Sequence, residues 1–451
     1  MRSLLSFHKL GSNNRHGTET PRVWLASQRL DRIGFGPGAR YRIDSTGRGL
    51  VLISDPKGSR VVSSVKRSSS TTPIIDINSM SLLGALAGTP TLKLAGSYGR
   101  IELSPSLRSL QILRRLKAPS AQFRVVELFC GGGTMSAAIS AHPLFKIVAG
   151  VELESRYSDL WQAAHPDACL ISGDLRDVHP NEIPGFDVLV AGIPCTDHSI
   201  QGRAKKSLKG RPESGVSGGL FSSVISLIIS KMPSACLFEN VFNYGTSLAG
   251  DVLRQTLTSL GYHVYETIIE PTRDWNQVSN RRRWVMVATL KPGFAITAPG
   301  TAHAAPVSTY LDAPNPEQDK ADAYRIAGSM AGLARHRDRH AEKGNKFDFT
   351  VLDGTETTIP TIMKSYHKIN TGPFLATPYG ARLLRKGEIE RIMGHQVDTA
   401  HYATAVEVLG QGVQSKIFSE IFRQLGAFLA SSESFVPATP TPAAQSELLL
   451  G

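Results

Sequence analysis

The sequence has little cysteine and no long apolar run. Its four cysteines, Cys130, Cys169, Cys195 and Cys236, show no Cys-x-x-Cys spacing, so we expect a reducing compartment and no structural zinc. No apolar stretch approaches the roughly 18 residues of a membrane span, and the first residues do not read as a secretory signal. The sequence therefore predicts a cytoplasmic protein that binds neither a metal nor a membrane.

The chain is long enough for two or three domains, and its basic charge is unevenly placed. Of its 451 residues, 50 are Lys or Arg and 38 are Asp or Glu. Residues 1–120 hold 19 of the basic and 6 of the acidic residues, a net charge of +13, whereas the rest of the chain is nearly neutral. This distribution is typical of a nucleic-acid contact. A disordered basic arm is the alternative.

Two neighbouring apolar runs end in groups that could act together on a pyrimidine ring. One ends at Pro194-Cys195 and the next at Glu239. A thiolate is a strong nucleophile, and a partly desolvated carboxylic acid keeps its proton near neutral pH. Addition of Cys195 to carbon 6 of cytosine, with a proton donated by Glu239 to nitrogen 3, would activate carbon 5 for methylation. For the Pro-Cys pair alone, a buried structural cysteine is the alternative.

Three successive strand ends predict a nucleoside pocket along one edge of a sheet. An apolar strand from Arg124 leads into glycines 131–133 and then a helix, a turn whose backbone N–H groups can approach a ligand closely. The next strand ends at Glu152, where an acid reaches ribose hydroxyls in nucleotide-binding α/β folds. A third ends at Asp174. Any one of these acids alone could be an ordinary surface residue.

The order of these segments resembles the DNA cytosine-5 methyltransferase family, from about Arg124 to Val287 and again from about Gly372 to Leu425. The resemblance implies an α/β fold with a doubly wound, Rossmann-like methyltransferase sheet and S-adenosylmethionine as the cofactor. It implies cofactor contacts at Phe129, Gly131, Gly133, Glu152, Asp174, Pro194, Gln411 and Val413.

The same resemblance implies the catalytic roles. Pro194-Cys195 looks like the nucleophile motif, and Glu239-Asn240-Val241 matches the proton-donor motif. In the later arginine motif, Arg283 would hold the cytosine carbonyl and Arg281 would brace the catalytic groups.

The chain departs from the family pattern beside these motifs. Ile193 and Thr196 flank the Pro-Cys pair where Pro and Gln are usual, and Ser279 replaces the Gln that usually opens the arginine motif. These changes spare the thiol, the acid and both arginines.

Residues 201–219 follow the nucleophile motif and are rich in glycine and positive charge. They predict a mobile loop that closes on phosphates, as base flipping requires, and a solvated surface loop is the alternative. The predicted DNA-binding residues are Arg203, Lys205, Lys206, Lys209 and Arg211.

Composition and the resemblance together divide the chain into five regions. The basic segment 1–120 holds a small β domain at about 20–66, a linker near 68–73 and a helix over 107–116. The predicted catalytic domain spans 121–291, the target-recognition region 292–370, and the C-terminal motifs that complete the catalytic domain 371–430. A disordered tail is expected over 431–451.

The leading hypothesis is a monomeric enzyme that methylates carbon 5 of cytosine in double-stranded DNA, in a bacterial or phage restriction–modification or orphan methylation system. An RNA cytosine methyltransferase using the same thiol and acid is one alternative. A non-catalytic DNA-binding regulator on the same fold is another.

Overall fold

The computed structural model describes residues 4–15, 18–47, 49–67, 70–86, 88–117, 121–194, 219–300, 304–369 and 372–431. The chain forms two compact units, Met1–Ala118 and Pro119–Gly451. In the described ranges, no helix is long and apolar enough to cross a membrane.

The unit Met1–Ala118 is built from two antiparallel sheets. The six-stranded sheet has the order β1-β9-β10-β5-β4-β6, and the four-stranded sheet has the order β2-β3-β8-β7. The strands are β1 (Leu4–Lys9), β2 (Gly11–Arg15), β3 (Thr18–Ala26), β4 (Arg40–Thr46), β5 (Gly49–Ser54), β6 (Arg60–Val61), β7 (Ser63–Arg67), β8 (Ser70–Asn78), β9 (Thr91–Ser97) and β10 (Arg100–Pro105). The helical elements are a 3-10 turn (Asp31–Ile33), α1 (Met80–Leu83), a second 3-10 turn (Gly84–Leu86) and α2 (Leu107–Lys117).

Both sheets contribute to one apolar core. Val23 on β3 and Ile75 on β8 are almost fully buried, whereas the residues that follow them, Trp24 and Asp76, are exposed and half-buried on the other face of their strands. They pack in the same cluster as Leu52 on β5 and Leu94 on β9, which belong to the other sheet. The unit is therefore a β-sandwich with its own core.

The predicted linker near 68–73 is wrong over 70–73, which form the start of β8. A run of Ser and Thr residues predicted a linker because it is polar, but such polarity is equally compatible with a strand that has one solvated face. The strands extend from Leu4 to Pro105, well beyond the predicted 20–66. The predicted helix over 107–116 is confirmed as α2.

The unit Pro119–Gly451 is an α/β structure whose elements come in this order: β11 (Phe123–Leu128), α3 (Thr134–Ser140), β12 (Phe145–Glu152), α4 (Ser155–Ala164), β13 (Cys169–Ser172), 3-10 turns (Leu175–Asp177 and Pro180–Glu182), β14 (Val188–Gly192), α5 (Leu220–Lys231), β15 (Ala235–Val241), a 3-10 turn (Phe242–Thr246), α6 (Leu248–Leu260), β16 (His263–Ile269), α7 (Pro271–Asp274) and β17 (Arg283–Thr289). It continues with a 3-10 turn (Val307–Tyr310), α8 (Pro316–Glu342), β18 (Val351–Leu352), a 3-10 turn (Tyr366–Lys368), β19 (Phe374–Thr377), β20 (Gly380–Leu383), α9 (Lys386–Met393), α10 (Tyr402–Gln411) and α11 (Ser415–Ala430).

The predicted doubly wound sheet is confirmed. Seven strands have the order β13-β12-β11-β14-β15-β17-β16; the first five are parallel, and β17 is antiparallel to both of its neighbours. Val188 and Val190 of β14 face the core shared with α3 and α11, and the intervening Leu189 is equally buried on the other face. Continuous apolar strands of this kind are typical of a sheet covered on both faces.

The chain after β17 forms a smaller β18-β19-β20 sheet and a second apolar core. The 27-residue helix α8 begins at Pro316, and the Asn315 side chain caps it by accepting a hydrogen bond from Gln318 N–H at 3.1 Å. Buried Arg382 on β20 pairs with Glu388 at 2.7 Å and with Asp319 of α8 at 3.2 Å. Because a buried charge must stay paired, this network fixes α8 against α9.

Candidate active site

The carboxyl ends of five parallel strands, β11 to β15, meet at one edge of the large sheet. Strand order reverses between β11 and β14, and ligands bind at such a switch point in α/β proteins. At the end of β11, Phe129 has a φ of 59°, and Gly131 and Gly133 have φ values of 53° and 90°. A positive φ at an aromatic residue is strained. This backbone turns the glycine loop toward the switch point.

Glu152 at the end of β12 ties the glycine loop to the sheet. Its Oε2 accepts a hydrogen bond from Gly131 N–H at 2.8 Å, and its Oε1 accepts one from Glu154 N–H at 2.9 Å. Asp174, beyond β13, accepts from Arg176 through both carboxylate oxygens, which lowers the pKa of Asp174. The predicted order of glycine loop, acid and acid along one edge is therefore present in the fold.

A buried polar cluster lies beneath this loop, and its signal in the sequence is Ser136, a polar residue on the buried face of α3. The Ser136 hydroxyl donates to Glu127, and Trp161 Nε1–H donates to Ser136 Oγ at 2.7 Å and lies 3.3 Å from Glu127 Oε2. All three residues are at most 2 % exposed. Burial raises the pKa of Glu127 to about 7, against the opposing hydrogen bonds from Ser136 and Trp161.

The last predicted motif packs against the start of α3. Val413 N–H donates to Thr134 Oγ1 at 3.2 Å, and the Ser415 hydroxyl donates to the Thr134 carbonyl at 3.0 Å. Buried Arg281 donates to the Gly412 carbonyl at 2.8 Å. Gln411 is exposed, but its side-chain nitrogen lies 3.8 Å from where a Cβ on Gly131 would be. Arg281 thus connects the arginine motif to the C-terminal motif.

Glu239 and the end of β14 are neighbours in the sheet. Glu239 pairs in register with Gly192, and Glu239 Oε2 lies 3.6 Å from the position that a Cβ on Gly192 would occupy. Arg283 Nε lies 2.6 Å from Glu239 Oε1, and both side chains are nearly buried. Burial raises the pKa of Glu239, while the positive charges of Arg283 and Arg281 oppose that rise.

Asn240 holds the segment that leads to Pro194. It is 1 % exposed, and its side-chain N–H donates to the Ile193 carbonyl at 3.0 Å. The Asn240 Oδ1 accepts from Val241 N–H at 2.8 Å, which fixes the orientation of the amide. Asn240 is therefore bonded to the backbone two residues before Cys195.

Cys195 and the five predicted DNA-binding residues, Arg203, Lys205, Lys206, Lys209 and Arg211, lie outside the described residues. Of the three cysteines described, Cys130 and Cys236 are buried, which raises the pKa of both thiols, and Cys169 is exposed on β13. Within the ranges described, no group of three His, Cys, Asp or Glu side chains could hold a metal ion.

The sheet order, the glycine loop and the acids at its edge define the class of nucleoside-dependent α/β methyltransferases. A family model for C-5 cytosine-specific DNA methylases matches residues 123–426. The chain belongs to this family and is a DNA (cytosine-5-)-methyltransferase.

Curated relatives support the assignment. The chain is 25 % identical over 320 residues to the type II methyltransferase M.NlaX of Neisseria lactamica, covering 68 % of this chain and 98 % of that enzyme. It is 26 % identical to M1.ScrFI of Lactococcus lactis subsp. cremoris over 60 % of this chain and 68 % of that enzyme. The match to M.Bsp6I of a Bacillus strain is 29 % identical and spans 36 % of this chain and about half (51 %) of that enzyme's length.

Solved structures show the same fold at low sequence identity. The Dnmt2 methyltransferase of S. pombe has a TM-score of 0.55 at 17 % identity, covering 68 % of this chain and 99 % of that one. The Entamoeba histolytica methyltransferase EhMeth has a TM-score of 0.56 at 16 % identity, covering 69 % of this chain and 100 % of that one. The unit Met1–Ala118 lies outside the family match.

The family uses S-adenosylmethionine, and the glycine loop and acids at the strand ends have the chemistry to hold that cofactor. Gly131 and Gly133 adopt positive φ angles that bring backbone rather than side chain to the switch point. A Cβ at Gly173, between β13 and Asp174, would meet nothing within 4 Å, so space remains beside the two acids.

Proposed function

We propose that the chain transfers a methyl group from S-adenosylmethionine to carbon 5 of a cytosine flipped out of double-stranded DNA, through a covalent bond to Cys195. The observation that carries the proposal is the pairing of Glu239 with Gly192, which sets the proton donor beside the strand that leads to Pro194-Cys195. Arg283 at 2.6 Å would hold both Glu239 and the cytosine carbonyl.

The proposed step adds the Cys195 thiolate to carbon 6 while Glu239 gives its proton to nitrogen 3. The electron pair of the 5,6 double bond then becomes available at carbon 5, which would take the methyl group as the bond between that methyl and the donor sulfur breaks. Loss of the carbon 5 proton to a base restores the double bond and expels the thiolate, while the proton on nitrogen 3 returns to Glu239. The raised pKa of Glu239 suits a carboxyl that must still carry its proton near neutral pH. Asn240 and Arg281 act as positioning residues through Ile193 and Gly412.

S-adenosylmethionine supplies the electrophilic methyl group when it is bound. We assign its binding to the strand-end loop and acids, to Pro194 and to the C-terminal motif. The proposed contacts are Phe129, Gly131, Gly133, Glu152, Asp174, Pro194, Gln411 and Val413. The hydrogen bonds from Val413 and Ser415 to Thr134 support a shared pocket, because they hold the C-terminal motif against the glycine loop.

We propose that the enzyme acts as a monomer on duplex DNA. We also propose that it needs no metal, because a thiol, an acid and the methyl donor are sufficient for the reaction. The relatives named above are type II methyltransferases. A methylating role in a restriction–modification or orphan methylation system is therefore the proposed context. Residues 292–370, with α8 tied to α9, are the proposed target-recognition region.

A trapping experiment tests the proposal. Fluorine at carbon 5 cannot leave as a proton does, so duplex DNA containing 5-fluorocytosine should form a stable adduct with the enzyme and S-adenosylmethionine. Cys195→Ala should form none, whereas Cys169→Ala, which removes an exposed thiol on β13, should react like the unaltered chain. An adduct that survives in Cys195→Ala would refute the mechanism. An adduct formed with 5-fluorocytosine RNA but not DNA would refute the substrate.

A further inference from the structure

A largely buried acid on α10 is bound to the start of α4. The side chain of Glu407 is 14 % exposed, and its Oε2 accepts a hydrogen bond from the Tyr157 hydroxyl at 2.8 Å. The same oxygen lies 2.7 Å from Arg156 Nη1, and Glu407 Oε1 lies 3.9 Å from His367 Nε2. A carboxylate in such a place needs partners, because an unpaired buried charge is costly. The contact joins residues 250 positions apart in the chain.

The hydrogen bond from Tyr157 is the shielded half of this contact. Tyr157 is 2 % exposed and packs in one apolar cluster with Val406 of α10. The Arg156 side chain is 52 % exposed, so water screens its pairing with Glu407. The Arg156 guanidinium and the Lys364 ammonium lie 4.6 and 4.9 Å from the centre of the Tyr157 ring. These contacts hold the start of α4 against α10.

The start of α4 in turn orients Glu152, the acid proposed to bind the cofactor. The helix begins after Glu154, whose carbonyl accepts hydrogen bonds from Tyr157 N–H at 2.9 Å and Ser158 N–H at 3.1 Å. Glu154 N–H donates to Glu152 Oε1 at 2.9 Å, and Gly131 N–H donates to Glu152 Oε2 at 2.8 Å. A displacement of the first turn of α4 would therefore move one of the two N–H groups that orient the Glu152 carboxylate.

Glu407 also lies one helical turn before the C-terminal motif. It precedes Gln411 by four residues on α10, so the two side chains lie on the same side of the helix. The side-chain nitrogen of Gln411 lies 3.8 Å from where a Cβ on Gly131 would be. One side of α10 therefore carries both the anchor for α4 and a neighbour of the glycine loop.

We propose that Glu407 is a positioning residue for the cofactor: it fixes the first turn of α4, and that turn orients Glu152 toward the ribose hydroxyls of S-adenosylmethionine. The inference rests on the cofactor assignment made above. The oxygens of Glu407 are directed at Tyr157, Arg156 and His367, so we assign Glu407 no contact of its own with the cofactor. Loss of Glu407 should therefore weaken cofactor binding only while Glu152 is present.

Calorimetry with S-adenosylmethionine and the full chain tests this role. Glu407→Ala should raise the Kd about fivefold, and Tyr157→Phe, which removes the hydroxyl alone, should raise it about threefold. In a chain that already carries Glu152→Ala, Glu407→Ala should change the Kd by less than about twofold, because the group that it positions is absent. Glu420→Ala, which removes an acid paired with Arg423 on α11 at 2.6 Å, is the matched control and should leave the Kd unchanged.

Methylation kinetics separate positioning from loss of fold. Glu407→Ala should raise the KM for S-adenosylmethionine about fivefold, while the KM for DNA and the kcat at saturating cofactor stay within about twofold. Glu407→Gln keeps the side-chain volume and an acceptor oxygen for the Tyr157 hydroxyl. This variant should therefore bind the cofactor within about twofold of the unaltered chain.

Three results would contradict the inference. Equal losses of affinity from Glu407→Ala with and without Glu152 would overturn it, because they would show a general effect on the fold. Unaltered affinity in Glu407→Ala, where Glu152→Ala does weaken binding, would overturn the inference and leave the cofactor assignment intact. Unaltered affinity in Glu152→Ala would overturn the cofactor assignment and this inference together.

Discussion

Replacing Glu127 with Gln should remove a pH dependence of stability that arises under the glycine loop. Glu127 is 2 % exposed, and burial raises its pKa to about 7 from 4.5. The folded chain therefore holds a proton that the unfolded chain releases between those two pH values, so stability falls as pH rises through this window. At 1.36 kcal/mol per pH unit, the loss is about 3 kcal/mol by pH 8. Gln cannot ionise, so Glu127→Gln should show no pH-dependent loss of folding stability from this position.

The assay is urea unfolding followed by tryptophan fluorescence at pH 4, 6 and 8, because Trp161 contacts the Glu127 cluster. The free energy of unfolding of Glu127→Gln relative to the unaltered chain should rise by about 3 kcal/mol between pH 4 and pH 8. Glu317→Gln, on the exposed first turn of α8, controls for loss of a carboxylate. A difference that stays constant with pH would mean that Glu127 is ionised in the folded chain, and the reasoning from burial would fail.

Two further predictions concern the pocket and the nucleophile segment. Glu152→Ala should weaken S-adenosylmethionine binding in calorimetry by about 1–3 kcal/mol, because ligand hydroxyls and Gly131 N–H both lose an acceptor. Asp174→Ala should weaken binding less, because Arg176 already donates to both Asp174 oxygens. Unchanged affinity in both variants would mean that the cofactor binds elsewhere. Asn240→Ala should lower kcat about tenfold or more, because it frees the Ile193 carbonyl and the backbone that leads to Cys195. Cofactor affinity should fall by at most about threefold, because Pro194 is the one proposed cofactor contact on the segment that Asn240 holds. An unaltered kcat in fixed-time methylation assays would contradict the positioning role.

Local patterns in the sequence were sufficient for the order of the catalytic elements. The glycine turn, Glu152 and Asp174 each follow an apolar run, and parallel strands bring their carboxyl ends to one edge whatever the details of packing. The thiol and the acid were likewise predicted from residue type and order, and that prediction stays a proposal. Strand periodicity failed at residues 70–73, where polar residues resemble a linker although they form part of β8.

Only the tertiary structure decided which strands pair and in which register. The hydrogen bond from Asn240 to Ile193 and the contact of Arg281 with Gly412 join residues 47 and 131 positions apart. The six-stranded sheet of Met1–Ala118 likewise depends on pairing β1 with β9 and β6 with β4. Such pairings are set by burial across the whole sheet, because a one-residue slip would turn every apolar side chain to the wrong face. No local pattern carries that information.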